Sequence, residues 1–357
     1  MPSLLEHLSE RLHLPSRDEH KVINLALQGG GAHGAFTWGV LDRLLEDGRI
    51  GFEGISGTSA GAMNAVMLAY GMTCGGREMA RETLAQFWER VSAHAPPEPA
   101  AGDLLNLING GTPNIPPWLT MGLELSRYFS PAQINPLGIN PLHKVVGELI
   151  DFERLRRDCS LKLFIAATRV RNGGLKVFKN QELSIKALLA SACLPSLHPP
   201  VAIDGELYWD GGFSGNPAVL PLVFECRSDD ILLVLLLPLV KAETPMTAKA
   251  IAERGLEFKF STGFLQEIRT IAHSQRQAGK AFLPLGPMER RLRRLRFHLI
   301  EEEELLPQLS RASKFNVQWS FLTTLRDQGR VYADRLLEQH FQAIGRRSSV
   351  DIYERFG

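Results

Sequence analysis

Apolar and polar positions along this chain follow two periods in turn. Residues 22–27, Val-Ile-Asn-Leu-Ala-Leu, form a short and nearly continuous apolar run, the pattern of a strand buried on both faces. The run ends in Gln28-Gly29-Gly30-Gly31-Ala32-His33-Gly34. Apolar residues then recur at helical spacing over about 35–46 and stop at Asp47-Gly48, a helix terminator. A second strand is expected over 52–55 and a small-residue helix over 60–70. Strand, helix, strand, helix is the opening of a parallel sheet with helices on its faces.

The pattern predicts further helices over 75–91, 141–150, 152–157 and 184–191. A strand over 161–168 is expected to pair with 174–178 across the turn Asn172-Gly173-Gly174. Residues 201–203 and 206–209 read as a hairpin across Asp204-Gly205, and it delivers Asp210-Gly211-Gly212. The last core strand expected is 231–237, and 248–277 and 316–344 read as helices. Between about 94 and 141 the periodicity is lost and Pro, Gly and Asn accumulate, as in a lid or binding insertion. Its apolar residues, Trp118 and Phe129 among them, are candidates for an acyl-chain groove; core beneath a loop is the equal alternative. The expected division is an N-terminal amphipathic segment (1–20), an α/β domain (21–240) and a mainly helical extension (241–357).

Composition narrows the class. A 357-residue chain that is 44% hydrophobic and 22% charged can bury a sizeable core. A net charge of +1 gives no global pull toward nucleic acid, and none is expected as a partner. Cys74, Cys159, Cys193 and Cys226 are too scattered for a zinc site or a disulfide framework, so a cytoplasmic location is expected. Residues 1–20 carry Glu6, Glu10, Asp18 and Glu19 and lack a secretory core. Leu4, Leu5, Leu8 and Leu12 have helical spacing there, which fits a packed helix or a membrane-surface anchor. The apolar run 231–240 contains Pro238 and is too short to span a bilayer. The basic run 290–296 is followed by four glutamates at 301–304; it reads as a self-compensated solvated surface or as a contact for anionic lipid head groups.

The chemistry centres on Gly57-Thr58-Ser59-Ala60-Gly61. A strand before and a helix after are the context of a nucleophile elbow, in which the residues beside the serine must be nearly free of side chain. The loop Gly29-Gly30-Gly31-Ala32-His33-Gly34 can offer backbone N–H donors to an oxyanion. The same loop fits the Gly-x-Gly-x-x-Gly dinucleotide fingerprint. That reading needs an acidic residue at the end of the second strand, whereas Glu53 stands at its start. Downstream histidines form no triad signature. Asp210, ending a strand before two glycines beside Tyr208 and Trp209, is a candidate base if burial raises its pKa. A plain turn is the alternative for Asp210-Gly211-Gly212, and His198 is a candidate third member of a triad.

Taken together and in this order, the glycine-rich loop, the Gly57–Gly61 elbow, the stretch Ala190-Ser191-Ala192-Cys193-Leu194-Pro195 and Asp210-Gly211-Gly212 resemble the patatin-like phospholipase family over about 22–237. The resemblance implies a three-layer α/β/α sandwich with a mostly parallel central sheet. It implies a Ser59–Asp210 dyad without catalytic histidine, an oxyanion loop at Gly29, Gly30, Gly31 and Gly34, and no metal ion or other cofactor. The expected activity is hydrolysis of a lipid ester, a phospholipid or lysophospholipid, with peripheral contact to a lipid surface. Esterase, thioesterase or polyester depolymerase activity at the same dyad, and a non-catalytic lipid-binding protein, are the alternatives. The family usually carries Arg or Lys where His33 stands, so a titratable group replaces a permanent charge. Oligomeric state is not set by these features.

Overall fold

The computed structural model describes residues 21–95, 140–237, 244–280, 286–309 and 311–357. The expected N-terminal amphipathic segment and nearly all of the expected insertion, with Trp118 and Phe129, lie outside the described residues.

The chain begins β1 (Lys21–Leu27), α1 (Gly34–Asp47), β2 (Ile50–Thr58) and α2 (Ala60–Ser92). Gly48, at φ 81°, closes α1 and donates its N–H to Leu44 O, as the Asp-Gly signal requires. The expected helices over 60–70 and 75–91 are the two halves of α2, separated by a kink at which Gly75 and Gly76 leave helical geometry. Next come α3 (Pro141–Leu149), α4 (Phe152–Asp158), β3 (Lys162–Arg169), β4 (Leu175–Lys179) and α5 (Ile185–Ser191). Asn140, Asp151 and Ser184 cap α3, α4 and α5 by accepting first-turn N–H groups on their side chains. The hairpin β5 (Val201–Ile203) and β6 (Glu206–Asp210) turns at Asp204 and Gly205, both at positive φ. After it come α6 (Leu220–Glu225), β7 (Asp230–Leu235), α7 (Ala248–Lys280), α8 (Pro287–Arg294), β8 (Arg296–Glu301), α9 (Trp319–His340) and α10 (Ile352–Phe356).

One eight-stranded sheet runs in the order β5-β6-β3-β2-β1-β7-β8, with β4 also paired to β3. The strands β3, β2, β1, β7 and β8 are mutually parallel, and β4 and β6 are antiparallel to β3. Side-chain alternation divides two cores across this sheet. Ile23, Leu25 and Leu27 of β1 pack with α1, α2 and α9, whereas Ala26 joins Ile231, Leu233 and Leu235 of β7 under α6, α7 and α10. The result is a three-layer sandwich with helices on both faces of a mostly parallel sheet.

The C-terminal region is mainly helical, and it also supplies β8, which the sequence pattern did not reveal. Helix α9 crosses α1 at two glycines. A Cβ on Gly39 would lie 1.8 Å from Arg326 O, and one on Gly329 would lie 2.0 Å from Phe36 O. The two backbones therefore touch, and Arg330 of α9 pairs with Asp42 of α1. The basic run is part of this architecture. Arg291 donates to the carbonyls of Val223, Cys226, Arg227 and Ser228 and pairs with Asp229. It thus fastens α8 to the amino end of β7. Among the described residues, no helix is long and apolar enough to cross a membrane.

Candidate active site

Strand register brings two distant residues together. Thr58, the last residue of β2, pairs with Ala166 of β3, and Asp210, the last residue of β6, pairs with Ala167. Ser59 follows Thr58, so its hydroxyl stands beside the Asp210 carboxyl, where its hydrogen-bonding pull acts to lower that carboxyl's pKa.

Ser59 has φ 54° and ψ −120°, a backbone conformation that a non-glycine residue adopts only under constraint. The constraint is the strand-to-helix turn. A Cβ on Gly57 would stand 2.6 Å from Gly61 O, and one on Gly61 would stand 2.2 Å from Leu27 O. Ser59 N–H donates to Ser191 Oγ at 3.0 Å. The serine caps α2, whose amino-terminal dipole favours negative charge beside it.

Asp210 is buried, with 1% of its surface exposed. Burial pushes its pKa up to about 7, against the opposing pull of hydrogen bonds from Gly212 N–H and the Ser59 hydroxyl. The Gly212 bond is 2.7 Å long. The main chain of Asp210 is pinned as well: its N–H donates to Cys193 O at 2.8 Å and its carbonyl accepts from Thr168 Oγ1 at 2.8 Å. A Cβ on Gly212 would meet the Phe260 ring at 2.3 Å, so the Asp-Gly-Gly turn lies directly beneath α7. A carboxyl with a pKa near 7 beside a serine hydroxyl is equipped to take its proton.

The glycine-rich loop forms the opposite lip. Gly29 N–H is already committed, donating to Asn216 Oδ1 at 2.6 Å. The N–H groups of Gly30 and Gly31 have no acceptor among the described residues, and both residues line the cleft. Gly31 sits at φ +62° with Lys314 O only 2.4 Å from where a Cβ would stand, so no other residue fits there. Gln28 anchors the loop from behind. Its Oε1 accepts from Leu236 N–H and Leu237 N–H, and its Nε2 donates to Asn216 O.

The cleft has a volume of about 380 Å³ and contains Ser59 and Asp210. Its walls are largely apolar, with Met63, Phe87, Trp88, Leu142, Leu256 and Phe260 prominent. Trp88 is held by Asn64, which accepts from the indole N–H at 3.0 Å and donates to Gly34 O at 2.9 Å. His198 lines the cleft, and burial lowers its pKa. It has no hydrogen bond to Ser59 or Asp210 among the described residues, and its Nδ1 is unpartnered. Glu53 sits in β2 toward the end away from Ser59 and accepts from Arg227 N–H, Ser228 N–H and Lys162 Nζ. It is therefore not placed to hold a ribose at the glycine-rich loop.

A family model described as patatin-like phospholipase matches residues 25–223, more than half of the chain. The chain belongs to the patatin-like phospholipase family. Among solved structures, VipD from Legionella pneumophila is similar at 17% identity with a TM-score of 0.41, over 90% of this chain and 67% of that one. Full-length ExoU from Pseudomonas aeruginosa, solved in complex with SpcU, is similar at 15% identity with a TM-score of 0.28, over 77% of this chain and 68% of that one. No curated protein sequence matches.

Against the patatin-like pattern, the position of His33 has a physical explanation. The ring is 2% exposed and does not line the cleft. Its Nε2 lies 2.7 Å from Ser313 Oγ and its Nδ1 has no partner. Burial, with the Lys314 charge adding to it, lowers its pKa to about 3. His33 is thus a neutral buried strut and carries no charge at neutral pH. Sequence reading singled out neither Asn216 nor Gln28, Ser313 or Lys314. Ser191 was noticed only as part of a motif, without its bond to Ser59.

Proposed function

We propose that the protein is a serine acyl hydrolase of the phospholipase A or lysophospholipase type, acting through Ser59 and Asp210. The observation that carries this reading is the placement of the Ser59 hydroxyl, held at a constrained elbow, beside a buried carboxyl with a pKa of about 7. The apolar cleft is suited to an acyl chain, and family membership supports a lipid ester as substrate.

Asp210 accepts the hydroxyl proton as Ser59 Oγ attacks the ester carbonyl. The N–H groups of Gly30 and Gly31 face the negative charge that develops on the carbonyl oxygen, and the dipole of α2 reinforces them. Collapse of the tetrahedral intermediate expels the alcohol, which takes the proton from Asp210. A water molecule then loses a proton to Asp210 as it attacks the acyl-enzyme, and Ser59 Oγ takes that proton back from Asp210 as the fatty acid leaves. Gly29 N–H stays on Asn216 throughout and fixes the loop.

A fluorophosphonate probe tests the nucleophile. Labelling of the wild-type chain with none in Ser59→Ala is the expected result, together with release of free fatty acid from phospholipid vesicles by wild type alone. Labelling that persists in Ser59→Ala would overturn the assignment.

A further inference from the structure

One short segment holds the backbones of both Ser59 and Asp210. Ser191, the last residue of α5, is fully buried, and its Oγ accepts the Ser59 N–H at 3.0 Å. Just beyond it, the carbonyl of Cys193 accepts the Asp210 N–H at 2.8 Å. Ala192, between them, lines the cleft, whereas Ser191 and Cys193 do not.

The segment is itself fixed. Ser184 caps α5, and Ala187, Leu188, Leu189 and Ala190 are buried beneath the helix. Past its end, Ala192 N–H donates to Leu189 O and Cys193 N–H donates to Ala190 O. The Cys193 thiol donates to Pro199 O at 3.2 Å. Burial, with the Asp210 charge adding to it, pushes that thiol up to about 12, so it stays neutral beside the carboxyl. Strand register brings the two backbones near one another, but register does not aim a side chain. Ser59 stands between β2 and α2 at φ 54°, outside both regular geometries. Its carbonyl accepts from Met63 N–H at 3.1 Å. The bond to Ser191 holds the amide side of the same residue, and with both sides held the Cα–Cβ direction is set.

We infer that residues 191–193 form a clamp that sets the reach from Ser59 Oγ to the Asp210 carboxyl, with Ser191 the positioning residue for the nucleophile. This rests on the reading of Ser59 as nucleophile and Asp210 as base. Ser191 acts through the Ser59 backbone and does not line the cleft. Without its hydroxyl, the constrained conformation of Ser59 loses its amide anchor and the nucleophile swings away from the base. A misplacement of that kind costs rate and leaves substrate binding intact.

Ser191→Ala, Ser191→Cys and Ser191→Thr test the clamp on a soluble ester. Alanine removes the acceptor, cysteine keeps the volume with a weak acceptor, and threonine keeps the hydroxyl. The expected kcat falls about tenfold to a hundredfold in Ser191→Ala and Ser191→Cys, with KM unchanged, and recovers in Ser191→Thr. Cysteine, close to serine in volume, carries the test where alanine lowers Tm. The pull of the Ser59 hydroxyl on the Asp210 carboxyl is lost as well, so the acid limb of kcat/KM moves to higher pH. An NMR titration of labelled aspartate carboxyls reads the same shift without turnover, and Asp210→Asn identifies the resonance. His94, His198, Glu257 and Lys314 also line the cleft and Cys193 adjoins Asp210; all are retained in these variants. An unchanged kcat, or a fall in kcat with the limb and the titration unmoved, would overturn the clamp and leave Ser191 a packing residue. A titration raised in Ser191→Ala while the wild type turns over no ester would uphold the clamp and overturn the catalytic reading instead.

Discussion

His33 Nε2 and Ser313 Oγ lie 2.7 Å apart and join the glycine-rich loop to the C-terminal region across 280 residues of chain. Replacing Ser313 by alanine leaves a buried imidazole with neither nitrogen partnered, because Nδ1 already has no partner. The expected loss of stability is about 1–3 kcal/mol. Thermal unfolding should show a lower Tm for Ser313→Ala and partial recovery for Ser313→Thr, which keeps the hydroxyl. An unchanged Tm in Ser313→Ala would mean that the bond does not hold the loop.

With Asp210 as the proposed base, its carboxyl sets the expected pH dependence. Its carboxyl must be ionised to accept the Ser59 proton, and burial has raised its pKa to about 7. The kcat/KM for a soluble ester should therefore rise about tenfold per pH unit from pH 5 and level off above 7. His33, with a pKa lowered to about 3, contributes no limb in this range. A flat profile between pH 5 and 8 would remove Asp210 as the base.

The same carboxyl carries a cost in stability. Its folded-state pKa of about 7 is above the reference value of 3.8, so the folded protein holds a proton that the unfolded chain releases between those values. The contribution of Asp210 to stability is fully present below about pH 4 and is lost as pH rises through 7. Above pH 7 the difference is on the order of 4 kcal/mol. Asp210→Asn, neutral at all pH values, should abolish activity. It should also raise Tm relative to wild type at pH 8, with the advantage shrinking toward pH 5. Equal Tm differences at the two pH values would contradict a raised pKa.

Helix α9 is built into the domain through the glycine crossing. Gly39→Ala and Gly329→Ala each drive a methyl group into a backbone carbonyl of the facing helix, which no rotamer change relieves. Each should destabilise by about 1–3 kcal/mol or more. Chemical denaturation would show the loss as a lower midpoint. Normal stability in both variants would mean that α9 does not pack tightly on α1.

Much of the domain was legible because its signals are local. Apolar runs, Asp47-Gly48 and the turn at Asp204-Gly205 each state a backbone requirement within a few residues. Ser59 and Gly31 stood out for the same reason: both adopt positive φ, and the glycine-rich sequence around them announces the turn. Strand β8 was hidden because Phe297, Leu299 and Ile300 are flanked by the arginine run and the glutamate run. Its apolar alternation is too short to stand out against them. The arginine run itself carried no sign of its targets, since carbonyls belonging to 223–228 are not features of a side-chain pattern.

The sequence by itself determined where the chain turns, which segments are buried and which serine stands at an elbow, because those properties depend on periodicity and on the steric freedom of glycine. Only the tertiary structure decided what each of these residues meets. Register across β2, β3 and β6 set Asp210 against Ser59. Three further placements also depended on long-range packing: Asn216 on Gly29, the Arg311–Phe315 turn against Gly31, and His33 away from the cleft. Burial then raised the pKa of Asp210 and lowered that of His33. Desolvation is a property of the surrounding atoms, and residues far apart in the chain supply those atoms.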